Sequence, residues 1–166
     1  MLNNYIYTII YFILLSHFIF GQEEIAIVTK KNGEVKHKAE SATLFKNKVN
    51  PGMELYNNDL LVTGNNGFVM FAYLDDGSLV KVHKDSKVYV NGDINNRIIK
   101  KKIIIDDGFF KFDVREQKEN EFRVVTPTSV ASVKGTIFYI DSDNKQDVFY
   151  GLDGVVEVLN IESNEI

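Results

Sequence analysis

The stretch that most constrains the fold runs from Thr126 to Ile140 and reads TPTSVASVKGTIFYI. It holds two short apolar runs with a break between them. Pro127 lacks a backbone donor and fixes its own φ, so a strand can end there but cannot continue as a central one. Gly135 allows the backbone to bend sharply or to approach another strand closely. The stretch therefore predicts two short strands, and the β-branched and aromatic run from Ile137 suits a buried one.

Outside this stretch, the dominant pattern is a glycine that follows Asn or Asp. Such pairs favour tight turns with positive φ, and between apolar runs they are the strongest short-range hairpin signal. Proline occurs only twice in the chain, so little interrupts strand pairing. We therefore expect an all-β domain of many short strands joined by tight turns. The six pairs are Asn32-Gly33, Asn66-Gly67, Asp76-Gly77, Asn91-Gly92, Asp107-Gly108 and Asp153-Gly154.

Alternating apolar residues predict which side chains face the core. Val80 and Val82 are expected to point inward and Lys81 outward, because successive side chains of a strand face opposite sides. The segment Phe68–Leu74 is apolar on both alternating sets, which predicts a central strand that is covered on both faces. The same alternation predicts inward side chains at Val88, Val90, Phe110, Phe112 and Val114.

Three tyrosines, Tyr73, Tyr89 and Tyr139, fall on strand sets opposite to the main core set. If they face solvent together, they form a binding face. If a second layer covers them, they belong to the core, which is the interpretation we favour for Tyr73.

Composition bounds the class of protein. The chain has 166 residues with 45% hydrophobic content, enough for one domain with a real core. The formal net charge of -4 argues against general nucleic-acid binding, which normally requires a basic domain. Because there is no cysteine, disulfides, a thiol nucleophile and a lipid-modified N-terminal cysteine are all excluded.

The N-terminus carries an almost unbroken apolar run from Tyr5 to Phe20. The run is short for a membrane span, which needs about 20 residues, and polarity returns abruptly after Gly21. We interpret residues 1–21 as a signal peptide, with a retained membrane anchor as the alternative. Either interpretation exports the β domain, which is expected over residues 22–162 with a short tail at 163–166.

Catalytic and metal-binding patterns are weak. His83 falls on an outward strand set, and His37 lies between two lysines and is expected to be solvated; neither has visible partners for a general base. We therefore predict no catalytic residue and no cofactor. Four oxygen-bearing side chains share one short segment that could suit Ca²⁺, but the EF-hand spacing fails and a solvated turn is favoured. These four are Asp141, Asp143, Asn144 and Asp147.

A basic run between isoleucines is the main charged feature, with Arg97, Lys100, Lys101 and Lys102. One interpretation is an edge strand that its lysines protect against pairing with other sheets. The other is a surface for an anionic partner, such as a cell-wall polymer or lipid headgroups. With Lys134, these four residues are the candidate partner-binding residues.

The motifs together resemble the FecR-like domain, a bacterial envelope module. The opening stretch matches the family pattern at Thr126-Pro127, at Gly135-Thr136 and in the alternating strand that follows. Lys134 stands where the family usually has Arg. The charge is kept, but the planar fork of the guanidinium is lost. Further matching elements are Gly33–Val35, Asn58–Gly64, Asp76–Ser78 with Ser86, Gly108–Val114, Phe122–Pro127 and Gly154–Val156.

The resemblance implies an all-β domain, described as a twisted β-solenoid or sandwich-like fold. The best-known family members regulate iron-uptake transcription, with a cytoplasmic anti-sigma part, one membrane span, this domain in the periplasm and a C-terminal receiving subdomain. We expect the present chain to lack the first and last of these parts. The expectation is thus a non-catalytic, exported domain of a bacterial periplasm or cell surface. It would bind an envelope protein or, alternatively, a cell-wall or surface glycan, and it would contact the membrane only through an uncleaved N-terminal segment.

Overall fold

The computed structural model describes residues 22–46, 48–117, 121–143 and 145–161. Across these ranges the chain forms thirteen strands and no helix, which confirms the all-β prediction. The strands are β1 Glu24–Asn32, β2 Val35–Lys38, β3 Glu54–Tyr56, β4 Asp59–Thr63, β5 Phe68–Tyr73, β6 Leu79–Val82, β7 Lys87–Asn95, β8 Ile98–Val114, β9 Phe122–Val125, β10 Ser129–Val133, β11 Thr136–Ser142, β12 Asp147–Asp153 and β13 Val156–Asn160. The predicted signal segment 1–21 and the tail 163–166 lie outside the described residues, and both stay predictions.

The strands form one open sheet that curls into a half-barrel with two walls. The first wall has the order β3-β1-β5-β6-β8-β11-β12, and the second has the order β2-β4-β7-β8-β9-β10-β13. The 17-residue strand β8 belongs to both walls, because its first half pairs with β7 and its second half with β6 and β11. The register shifts where these halves meet, and such a bulge bends a strand.

The core lies between the two walls and is rich in phenylalanine. Phe112 of the first wall packs against Phe138 in the same wall, with ring centroids 4.9 Å apart, and against Phe122 of the second wall at 6.0 Å. All three rings are fully buried. The inward positions that the alternation predicted in β6, β7 and the second half of β8 are buried, so this part of the prediction is confirmed.

The hairpin prediction from the glycine pairs is largely wrong. Only Asp76-Gly77 joins two strands that pair with each other, β5 and β6. Two other pairs lie within strands, and three lie at corners where the chain passes from one wall to the other. At one corner, a Cβ on Gly33 would lie 1.9 Å from the backbone oxygen of Asn66, so the corners at Asn32-Gly33 and Asn66-Gly67 meet closely. A positive φ permits a sharp change of direction, but burial of the apolar side chains decides which wall the next strand joins.

Two further expectations need correction. His37 is not solvated: it lies on the core-facing set of β2 with Val35, and its Nε2 is 2.8 Å from Oδ2 of the buried Asp59. Strand alternation, rather than the flanking lysines, sets its direction. Tyr73 is buried as expected, yet it lies on the main core set of β5 rather than opposite to it, and its hydroxyl donates to the Asn91 carbonyl at 2.9 Å.

Strand β5 is internal, between β1 and β6, as predicted. Its second face is only half covered, because Phe68, Met70 and Ala72 are half-buried and Leu74, just after the strand, is 47% exposed.

The basic run is a sheet edge only in part. Residues 98–101 of β8 pair with β7 alone, whereas β9 joins on the other side from Lys102 onward.

Candidate functional site

The five predicted partner-binding residues point in different directions. Lys101 faces the interior, where its Nζ lies 2.7 Å from Asp75 and 2.9 Å from Asp76. It also donates to the side-chain oxygen of Gln117 at 3.2 Å. Only 2% of Lys101 is exposed, so its charge serves the fold and is not available to an external partner.

Arg97 lies at the tip of the β7–β8 hairpin. Asn96 and Arg97 both have positive φ, 51° and 65°, as a two-residue type I′ turn requires. Arg97 lines a shallow hollow together with Glu23 and Glu24, apart from the other basic residues. The turn thus separates Arg97 from the lysines that follow it in sequence.

Lys100, Lys102 and Lys134 lie on the outward face of the second wall. Lys102 is directly opposite Arg123 of β9, and both line a groove of about 520 Å³ with Lys100. Arg123 and Lys134 each lie 3.7 Å from Glu121, whereas Lys100 and Lys102 form no ion pair with a described residue. Three predicted residues therefore share a face with Arg123, which the sequence did not single out.

An apolar row runs beside these charges across five strands of the second wall. Its members are direct cross-strand neighbours on the outward side, and we call them the outward stripe: Tyr89, Ile104, Val125, Val130 and Leu159. The first four are half-buried and Leu159 is 62% exposed. Of the three tyrosines, Tyr89 alone shares a face with the lysines, because Tyr139 belongs to the first wall and Tyr73 is in the core.

The last two strands are sheet edges with unusually exposed apolar side chains. In the described chain, β12 pairs only with β11 and β13 only with β10. Twelve large apolar side chains are exposed in the described ranges, and seven of them lie within residues 148–161. We call residues 147–161, which contain strands β12 and β13, the C-terminal edge. Its exposed apolar residues are Val148, Tyr150, Leu152, Val155, Val158, Leu159 and Ile161.

Several side chains of the recognised motifs bind the domain's own backbone. Ser78 Oγ accepts from the Arg115 amide and Ser86 Oγ from the Phe109 amide, each at 3.1 Å. Thr63 donates to the His83 carbonyl at 2.6 Å. Ser78 and Ser86 hold their turns against β8 and the residue that follows it, and Thr63 holds the end of β4 against the β6–β7 connection. These groups therefore account for the fold rather than for a ligand.

The Thr-Pro break is held in the same way. The Thr126 hydroxyl oxygen accepts from the Ser129 amide at 2.9 Å, and Thr126 and Thr128 both donate to Asp147. Burial would raise the pKa of Asp147, but hydrogen bonds from Ser142, Thr126 and Thr128 outweigh it and lower that pKa. Asp147 thus links the β9–β10 turn in the second wall to β12 in the first.

The segment considered for Ca²⁺ forms a turn between β11 and β12. Asp143 Oδ1 accepts from the backbone amides of Lys145 at 2.7 Å and Gln146 at 2.8 Å. Asn144 lies outside the described residues. Within the described ranges, no three acidic or histidine side chains are grouped as a metal site would require.

His83 packs its ring against aromatic side chains. The ring centroids of Phe68 and Phe109 lie 5.7 Å and 5.0 Å away. Burial is the main cause that lowers the pKa of His83, and the charge of Lys81 adds to it. His83 is thus part of a half-buried aromatic cluster on the outward side of the first wall.

Sequence reasoning missed two parts of this surface. Arg123 alternates with the buried Phe122 and Val124, which was a usable signal for an outward cation. The exposure of the C-terminal edge had no such signal, because Val155–Leu159 has the composition of a buried strand.

These observations define an all-β domain with one curled sheet. The side chains of its motifs stabilise the fold, and its last two strands are sheet edges with exposed apolar side chains. The chain belongs to the FecR protein family, because the family model described as "FecR protein" matches residues 59–157. That family is regulatory and associated with the cell envelope. No curated protein and no solved structure matches the chain significantly. In the described ranges, no helix is both long enough and apolar enough to cross a membrane.

Proposed function

We propose that this chain is a non-catalytic, exported domain of envelope signalling that binds a protein partner through its C-terminal edge. The observation that carries the proposal is the pair of free strand edges with seven exposed apolar side chains. Unpaired edges and large apolar patches are features that proteins normally cover, and they mark interaction sites when left open. An extended segment of another protein could add to such an edge through main-chain hydrogen bonds.

Two further points support the proposal. Family membership favours a regulatory role in the envelope, and the apolar run Tyr5–Phe20 favours export. A general base needs both an oriented partner and access to a substrate. His83 packs against aromatic rings, and His37, although it lies beside Asp59, is only 5% exposed.

The test is capture of a partner by the tagged full-length chain from solubilised envelope. Wild type should retain one envelope protein, and Tyr150→Ser or Leu159→Ser should lose it. Leu44→Ser is the matched control, because Leu44 is 78% exposed but lies outside the C-terminal edge. Equal capture by all four proteins, or nothing above background with wild type, would contradict the proposal.

An anionic cell-wall glycan is a second candidate, favoured by the groove that Lys100, Lys102 and Arg123 line. Lys100 and Lys102 form no ion pair with a described residue, although Asp93 lies directly opposite Lys100 in the same groove. Both lysines could receive carboxylate or phosphate groups. Co-sedimentation of the full-length chain with purified cell wall should weaken for the double variant Lys100→Glu/Lys102→Glu, while Lys84→Glu on another exposed segment should not change it. Sedimentation that the double variant leaves unaffected would reject this candidate.

A further inference from the structure

We propose that the free edge of β13 accepts an extended strand of a separate protein that places Lys or Arg opposite Glu157 and apolar side chains opposite Val156 and Val158. This proposal rests on the proposed function and specifies which edge is used and what chemistry it selects. Three properties of β13 support it: the direction of its backbone groups, the chemistry of its two faces and the charge of Glu157.

The backbone groups of β13 alternate between its neighbour and the free side. The Ile161 amide donates to the Thr128 carbonyl of the second wall at 2.8 Å, so Ile161 bonds toward β10. In antiparallel pairs every second residue bonds to the same neighbour. The amide and carbonyl groups of Val156, Val158 and Asn160 therefore point to the free side, where an incoming strand would bond them.

The two faces of β13 differ in chemistry. Val156 is half-buried and packs against the hydrophobic core, and Val158 lies on the same inward face opposite Ala131. Glu157 and Leu159 lie on the outward face, where Leu159 ends the outward stripe. An incoming strand would thus extend the core with every second side chain and the outward stripe with the others.

Charge selects the partner residue opposite Glu157. This carboxylate is outward and exposed, and its direct neighbour on β10 is the uncharged Ser132. Arg123 of β9 and Lys134, just after β10, are the cations nearby, but both form their described ion pairs with Glu121. Glu157 itself forms no ion pair with a described residue. A cation directly across the new strand pair would complement it.

The other edges are less suited to accept a strand. β2 carries Lys36 and Lys38, and Lys46 already bonds its backbone at His37. β3 has only three residues. β12 has a register shift near Gly151, and a bulge twists an edge away from regular pairing. By contrast, β13 pairs with β10 over five residues without a shift, and residues 155–161 contain no Lys, Arg or Pro.

A second copy of the chain fits this edge poorly. Two-fold antiparallel pairing of β13 centred on Val158 would place each Glu157 opposite Leu159 of the other copy. Both carboxylates would then remain unpaired beside an apolar side chain. The charge pattern therefore favours a different protein over self-association.

The test uses fluorescence anisotropy of a labelled peptide, Val-Thr-Val-Ile-Arg-Val-Thr, with the full-length chain. In antiparallel register this probe places its Arg opposite Glu157 and its Ile opposite Val158. The matched probe has Glu in place of Arg. Wild type should bind the Arg probe about fivefold more tightly than the Glu probe, and Glu157→Lys should reverse the order. Val158→Pro should lose both probes, because it removes an amide that faces the free side and leaves the bonds to β10 intact.

The outcomes separate this inference from the proposed function. Equal affinity for the two probes, with loss in Val158→Pro, would overturn the charge selection and leave edge binding in place. Binding of neither probe, together with partner capture that Tyr150→Ser abolishes and Leu159→Ser leaves intact, would overturn the β13 assignment alone. A wild-type dimer in sedimentation velocity that Val158→Pro dissociates would show that a second copy occupies the edge, which also overturns the inference.

Discussion

The Nζ atom of Lys101 lies 2.7 Å from Oδ2 of Asp75, and the two side chains are 1% and 9% exposed. Asp75 also accepts from the Ile99 amide at 2.9 Å. The contact fastens the β5–β6 turn of the first wall to the start of β8 in the second. Lys101 of the basic run therefore stabilises the fold, while Lys100 and Lys102 on either side of it face outward.

Lys101→Met should lower the free energy of unfolding by about 2–4 kcal/mol, because it leaves Asp75 and Asp76 poorly solvated and without their cation. Urea denaturation followed by far-UV circular dichroism measures the change. Lys100→Met on the same strand should stay within about 0.5 kcal/mol of wild type. A loss of similar size in both variants would show that the buried pair has no special role.

The stability of the domain should fall in acid through Asp76 and Asp147. Hydrogen bonds to these carboxylates outweigh burial and hold both pKa values below the ordinary value of 3.8. A depressed folded-state pKa gives stability that is complete above the unfolded pKa and is lost as the pH falls through the folded one. Thermal melts from pH 6 down to pH 2 should therefore show a steep decrease below about pH 4.

Asp147→Asn tests the contribution of one of these carboxylates. Its melting temperature should be lower than that of wild type at pH 6 and should depend less on pH below about pH 4, because the variant lacks the titrating group. Asp141→Asn, an exposed residue nearby, is the control and should follow the wild-type curve. An unchanged pH dependence in Asp147→Asn would contradict the role of the Thr126–Asp147 link.

Gly108→Ala should cost about 3 kcal/mol, whereas Gly77→Ala should cost about 1 kcal/mol. Both glycines have positive φ, 120° and 73°. A Cβ on Gly108 would also lie 2.6 Å from the Cα of Ser86, whereas a Cβ on Gly77 would meet nothing within 4 Å. Chemical denaturation measures both costs, and equal costs would exclude overlap at the bend of β8.

Lys134→Ala should leave the free energy of unfolding within about 0.5 kcal/mol of wild type. The side chain is 69% exposed, and its described ion pair with Glu121 is long at 3.7 Å. Urea denaturation checks the value. If the free energy of unfolding is unchanged, any requirement for a cation at this position of the motif must come from a partner. A loss above about 1 kcal/mol would instead show that Lys134 stabilises the fold.

The fold class and much of the core followed from local patterns. Alternation placed Val80, Val82, Phe110 and Phe112 correctly, because a strand offers only two directions and one of them is buried. The break at Pro127 was also predictable, since proline cannot donate to a neighbouring strand. The same reasoning failed at His37, where the charge of its neighbours was given more weight than the alternation.

The sequence alone determined that the chain is all-β, which side chains of several strands face the core and which family it belongs to, because backbone restrictions and period-two patterns act over a few residues. Only the tertiary structure decided that glycine corners carry strands between two walls, that Lys101 is buried between carboxylates, and that β13 ends the sheet. These features depend on contacts between residues far apart in the chain, whose pairing follows from burying the apolar faces of both walls in one core.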